Sequence, residues 1–250
     1  MAKSTREAYG EALAELGKTN ERIVVMDADL SGSTKTSTFK KAFPDRFYDF
    51  GIAEANMTDA AAGFAFSGYI PFASTFAIFG AGRAYEQIRN SVAYAKANVK
   101  LAFTHAGLSV GEDGGSHQAI EDIALMRVLP NMTVFVPSDA TECEQCVRAA
   151  AEINGPVYIR TARLPSPVYD ARPFTVGKGN VIKDGKDCVI FTCGIMLEHC
   201  LEAVQLLAEQ GIDAALVSFH TLKPFDDELA RTYAAKCGKV FTVEEHSIIG

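Results

Sequence analysis

Glu54 stands at the head of an unusually uncharged stretch. From residue 50 to residue 82 there is no Lys or Arg, and the only charges are Glu54 and Asp59 in "GIAEANMTD". An acid in such surroundings is costly to bury unless something pairs with it. Where nothing does, burial raises its pKa, by as much as about 3–5 units for a fully buried group, and makes it a proton donor near neutral pH. A second concentration of chemistry begins where "LAFTH" ends in His105 and runs into "AGLSVGEDGGSHQ", with Glu112, Asp113, Ser116 and His117. Imidazoles and carboxylates on one Gly-rich loop can move protons or hold hydroxyl groups. They can also ligate a metal, although the spacing of His105, Asp113 and His117 carries no metal-specific pattern. The structural alternative is a surface loop with capping residues. "DADLSGS" adds Asp29, Ser31 and Ser33, and "IRTAR" adds Arg160 and Arg163. Guanidinium forks suit phosphate or carboxylate groups. Cys143 and Cys146 form the one close cysteine pair, in "SDATECEQCVRAAAEI". That stretch reads as a helix capped by Ser138 or Asp139. With no second ligand pair nearby, a structural role is expected rather than zinc.

These residues need elements to hold them. "TREAYGEALAELGKT" has helical spacing, and "RIVVMDADLSGS" reads as a buried strand ending in a polar loop. A helix starting near Glu54, a strand at "YIPFAST", a helix at "GAGRAYEQIRNSVAYA" and a strand at "VKLAFTHAG" follow. Then come a helix at "QAIEDIALMRVLP", a strand at "MTVFVPSD", a helix at "ATECEQCVRAAAEI" and a strand at "GPVYIRTA". Such alternation predicts an α/β fold with a doubly wound, mainly parallel sheet. The candidate residues then sit at the carboxyl ends of strands, where such sheets place their sites. "RLPSPVYDARPFTVGKGN" carries three prolines without periodicity and reads as a linker. The alternation restarts from "DCVIFTC" to "KVFTVEEH", a smaller α/β unit that looks incomplete or dependent on another chain. The expected division is 1–165, a linker over 166–180, and 181–250.

Composition narrows the function classes. Apolar residues make up 48% and charged residues 22%, an ordinary globular profile. The net charge of −7 argues against nucleic-acid or anionic-membrane binding. "MAKSTREAYG" has no apolar signal region. The uncharged run to Gly82 is broken by Ser67-Gly68, Pro71 and Ser74-Thr75, so buried elements are expected rather than a membrane span. Six irregularly spaced cysteines in apolar segments fit a reduced, cytoplasmic chain.

"GEDGGSHQAIEDIALMRVLPNM" closely resembles the transketolase segment that usually reads GEDGPTHQPIE, followed by a helix and an "IPN"-like turn. "GIAEANM" resembles the G-x-x-E stretch with the catalytic glutamate of transketolases and deoxyxylulose-phosphate synthases. "TREAYGEAL", "DADLSGS" and "STFAIF" are similar to transketolase segments in the same order. The resemblance covers nearly the whole chain. It implies the C-terminal half of a split transketolase: a pyrimidine-binding domain over 1–165, a linker, and a C-terminal domain over 181–250, apparently truncated. In that family a GDG motif followed by Asn holds the diphosphate and divalent cation of thiamine diphosphate. Here "GEDGG" lacks the spacing and "KDGKD" lies in the second unit. The resemblance therefore implies that the diphosphate and its Mg2+ or Ca2+ are held mainly by a separate N-terminal subunit carrying the GDG motif. Self-association, two of each chain, is expected through the small-residue helix after Glu54.

The resemblance also implies roles. Glu54 matches the glutamate that donates a hydrogen bond to ring nitrogen N1′ of the aminopyrimidine, favouring the tautomer that removes the C2 proton. Phe76 and Phe79 match pocket aromatics, with Gly82 where a third aromatic often stands, and Asp29 matches an acid near the thiazolium. Arg6, Ser33, His105 and Arg160 match sugar-phosphate ligands. "IRTARLP" is one residue longer than the usual "SRQNLP", so Arg163 competes with Arg160. Asp113 and His117 match contacts to the sugar hydroxyls and the reacting carbonyl, which places His105 and His117 beside Glu54 in the catalytic set. No metal ligand is assigned, and His199, His220 and His246 receive no role. The implied activity is transfer of a two-carbon ketol unit between ketose and aldose phosphates. Deoxyxylulose-phosphate synthase is the nearest alternative, but it typically has Arg where this chain has His105. The beta subunits of 2-oxoacid dehydrogenases lack a match to "GEDGGSHQ". A non-catalytic regulatory or scaffolding chain is the alternative from another class, and retention of Glu54, His105, Asp113 and His117 argues against it.

Overall fold

The computed structural model describes residues 2–249. Its larger sheet is built on β2 (Ile23–Asp27), β3 (Phe47–Asp49), β4 (Ile70–Phe76), β5 (Lys100–Thr104), β6 (Thr133–Phe135) and β7 (Val157–Arg160). These six run parallel in the order β6-β7-β5-β4-β2-β3. The chain leaves β2 first toward β3 and then returns to β4 on the other side. The loops after β2 and β4 therefore diverge at a switch point, where doubly wound sheets open a crevice.

Both faces of the sheet are covered, as its apolar strands require. Ile23 and Val25 pack with Tyr9 and Leu13 of helix Thr5–Thr19 and with Cys143, Cys146 and Val147 of helix Ala140–Glu152. Val24 and Met26 point the other way, toward Met57 and Ala61 of helix Glu54–Phe66 and Ile88 of the next segment. The strand period of two thus sorts neighbouring residues into two cores. Cys143 and Cys146 are buried free thiols within one of them. No helix among the described residues is long and apolar enough to cross a membrane.

Two short strands and a helical segment differ from expectation. β1 (Ala2–Ser4) pairs antiparallel with β8 (Pro165–Pro167), so the expected linker is anchored at its start. Further along it, the Phe174 ring meets Phe135 at 6.1 Å and stacks on His220 at 4.2 Å. The segment read as one α-helix after β4 contains π-helical turns at Ile78–Arg83 and Ile88–Tyr94. Gly80 lies so close to the Phe103 ring that a Cβ would overlap it. This close approach presses the first π turn onto β5.

A smaller sheet contains β9 (Asn180–Lys183), β10 (Cys188–Thr192), β11 (Ala214–Ser218) and β13 (Val240–Val243), in the order β13-β10-β11-β9. The two units interlock. β12 (Thr221–Lys223) leaves the second and pairs antiparallel with β6 of the first. Residues 245–247 clasp both ends of the loop after β5. Ser109 N donates to Glu245 Oε1 at 2.8 Å, and Ser247 N donates to Ile120 O at 2.7 Å.

Candidate active site

Glu54 opens its helix directly after β3, and its side chain is only 1% exposed. Its carboxylate is not left among apolar neighbours, which corrects the expectation drawn from the uncharged run. Arg83 Nη1 donates to Oε1 at 3.0 Å and to Oε2 at 2.9 Å. Arg83 is the first basic residue beyond that run. The π turn brings its guanidinium 4.8 Å from the centre of the Phe79 ring. Glu54 and Phe79 are therefore bridged by a single planar cation, Arg83.

The rings beside Phe79 come from the ends of two strands, β4 and β5. Phe76, last residue of β4, stacks on His105 at 3.8 Å and on Phe79 at 5.8 Å. His117 meets Phe79 edge-on at 5.2 Å and Phe76 at 6.2 Å. His105 adopts φ of +60°, a left-handed conformation rare outside glycine. Burial, then the charges of Arg6 and Arg163, push its pKa down to about 4. His105 is thus a neutral imidazole near neutrality, able to share hydrogen bonds but carrying no charge toward an anion.

The cations come from two other elements. A capping box fixes the start of helix Thr5–Thr19: Ser4 Oγ accepts from Glu7 N, and Glu7 Oε2 accepts from Ser4 N. This sets Arg6 in the first turn, where its Nη1 donates to the backbone oxygen of Ser33 at 3.0 Å. Its buried Nε has no partner among the described residues. Arg163 donates to Val110 O at 2.6 Å, to Asp113 at 3.3 Å and to Glu112. Burial, opposed by Glu7, lowers the pKa of Arg6, and the charge of Arg163 lowers it further. Arg6 thus carries a buried N–H without a partner among the described residues, a donor suited to an anion.

Arg160 does not join them. It is 7% exposed, and its Nε and Nη2 bind both oxygens of the buried Asp122 at 2.8 and 3.2 Å. Nη2 also donates to Ala119 O and Glu245 O. The assignment of Arg160 to a phosphate is therefore corrected, because the residue is buried and its Nε and Nη2 are turned to Asp122 and the backbone. Arg163 is the arginine of "IRTAR" that contacts the loop of Glu112 and Asp113. Asp29, with φ of +62°, lies exposed after β2 and is tied through its backbone N to Asp49. The buried acid of that loop is Asp27, which accepts from Leu30 N, Thr34 and Thr36. Burial pushes its pKa up to about 6 against those bonds. Sequence reasoning missed Asp27 and Arg83. The signal for Arg83 was its place one helical turn after Phe79.

Whether an aminopyrimidine fits can be judged from Arg83 itself. A flat group already lies between Phe79 and Glu54, so the space takes a planar ring, with the carboxyl rather than the ring as donor to a nitrogen such as N1′. Among the described residues no group of three or more His, Cys, Asp or Glu side chains is arranged to hold a metal ion.

A parallel sheet with an acid, aromatic rings and paired cations at its carboxyl edge defines a binding module of α/β enzymes. Residues 1–167 match the transketolase pyrimidine-binding domain, and residues 177–250 match the transketolase C-terminal domain. The chain belongs to the transketolase family. It is 48% identical over 252 residues to a Methanocaldococcus jannaschii chain described as a transketolase C-terminal section, covering 99% of this chain and 79% of that one. It is 40% identical over 249 residues to human transketolase, covering 97% of this chain but 40% of the human protein. A split-gene transketolase solved as an inactive β4 tetramer superposes with a TM-score of 0.92 at 56% identity, covering 100% of this chain and 82% of that one.

Proposed function

We propose that this chain is the pyrimidine-binding subunit of a split transketolase, transferring a two-carbon ketol unit between ketose and aldose phosphates. The observation that carries the reading is the buried Glu54, joined through Arg83 to the ring cluster of Phe76, Phe79, His105 and His117. Bound thiamine diphosphate supplies the electron sink for breaking and making the carbon–carbon bond. Phe76 and Phe79 would flank its pyrimidine, Glu54 would exchange a proton with ring nitrogen N1′, and Asp29 would lie toward the thiazolium. Arg6 and Arg163 hold the sugar phosphate, with Ser33 beside Arg6. Neutral His105, with Asp113 and His117, orients the hydroxyl groups and the carbonyl. The diphosphate and its Mg2+ or Ca2+ belong mainly to a partner chain carrying the GDG motif that this sequence lacks. The chain also pairs with its own kind through the helix after Glu54, giving two of each chain. Near that helix Ile52 and Phe66 are exposed at 77% and 65%. The "inactive β4 tetramer" of the split-gene relative supports both a partner and self-association.

The test is Glu54→Gln in the complex with the GDG-bearing chain. Gln fills the same space and can donate a hydrogen bond, but it cannot exchange a proton with N1′. Hydrogen–deuterium exchange at cofactor C2 and turnover should both fall about 10²–10⁴-fold, the usual contribution of a positioned acid–base group. Exchange at the wild-type rate would refute the assignment.

A further inference from the structure

The pairing of Arg83 with Glu54 opposes the role just given to Glu54. A carboxylate that accepts hydrogen bonds on both oxygens from a guanidinium has no proton to donate. Arg83 makes no other hydrogen bond among the described residues than these two, both through Nη1. The two partners differ in freedom. Glu54 is 1% exposed at the start of a packed helix, whereas the Arg83 side chain is 52% exposed on a π turn. Arg83 can swing into solvent without opening the core, and Glu54 cannot follow it.

Resting on the reading above, we propose that Arg83 is a reversible mask that occupies the aminopyrimidine place until the cofactor ring takes over both of its contacts. The guanidinium is planar, lies on the Phe79 face and directs an N–H edge at the buried carboxylate. A ring arriving between Phe79 and Glu54 meets Arg83 in its way. Release of Arg83 alone would strand a buried carboxylate, which is strongly unfavourable. Release and ring entry are therefore one exchange: the cation leaves, Glu54 takes up one proton from solvent, and the resulting carboxyl donates it in a hydrogen bond to the ring nitrogen. The isolated chain is thereby held closed to the cofactor ring and its acid held unreactive.

The test uses the isolated full chain and a neutral probe, 4-amino-5-hydroxymethyl-2-methylpyrimidine, so that removing a positive charge does not itself change attraction to the ligand. Calorimetry should show Arg83→Met binding the probe about five- to thirtyfold more tightly than wild type, the range for losing a charge-assisted bond whose cationic half is solvated. Arg83→Lys, which keeps the charge but not the planar fork, should fall between. In a Glu54→Gln background the gain from Arg83→Met should vanish, because the cycle then contains no ion pair to remove. Near-ultraviolet circular dichroism establishes that each variant is folded. No gain in Arg83→Met, or a gain that persists beside Glu54→Gln, overturns the mask. C2 exchange in the complex reports separately on Glu54 as the activating acid, so either idea can fail alone.

Discussion

Arg160→Met separates a structural arginine from a ligand arginine. Arg160 and Asp122 are 7% and 0% exposed, and Tyr158 also donates to Asp122 at 2.6 Å. Removing the guanidinium leaves a buried carboxylate with one hydroxyl partner and frees Ala119 O and Glu245 O from Nη2. Breaking a buried pair from one side costs about 3–5 kcal/mol. Each stranded polar group costs about 1–3 kcal/mol in isolation, though in one network these terms do not simply add. A loss of about 4 kcal/mol is expected. With a urea slope of about 3 kcal/mol per molar, the midpoint should fall by about 1.3 M. Arg160→Met with Asp122→Leu should recover much of this, because replacing both buried charges by apolar groups is often neutral. Arg163→Met should barely move the midpoint, since its acidic partners Glu112 and Asp113 face solvent at 79% and 34% exposure. It should instead weaken sugar-phosphate binding in the complex. The assay is urea unfolding followed by circular dichroism, with ribose 5-phosphate titration alongside. If Arg160→Met kept its midpoint but lost the sugar phosphate, the assignment of the two arginines would be reversed.

His105→Ala in the complex should mainly raise KM for phosphorylated sugars, about tenfold or more for one buried polar contact, with smaller change in C2 exchange; an unchanged KM would remove His105 from the substrate site. Lys100 gives a pH signature. Its fully buried ammonium site lies among Asn98 Oδ1, Ile153 O and Gly155 O at 2.6–2.7 Å. Burial pulls its pKa down to about 7 from an ordinary 10.5. Between those values the unfolded chain holds a proton that the folded chain has released, so stability should rise with pH, by up to about 1.4 kcal/mol per unit. Urea midpoints from pH 6 to 10 should show the rise in wild type, and Lys100→Met should flatten it. A flat wild-type curve would mean that the three oxygens keep the ammonium charged.

The sequence by itself determined the alternation of strands and helices, because hydrophobic period is a local property. It placed His105 at a strand end, Phe76 just past one and Glu54 at a helix start for the same reason, and ordered motifs carried the family resemblance. Partners distant in sequence were another matter. Arg83 lies 29 residues from Glu54, and Arg160 lies 38 from Asp122. No local pattern says that the first pair joins a half-exposed cation to a buried acid while the second closes inside the core. The same holds for β12 crossing to the first sheet, for β1 pairing with β8, and for residues 245–247 clasping the loop that carries Asp113 and His117. Strand ends are readable where each strand is read alone. Which charges face one another depends on how strands and turns pack, so only the tertiary structure decided that Glu54 faces Arg83, that Arg163 contacts Glu112 and Asp113, and that Arg160 closes on Asp122.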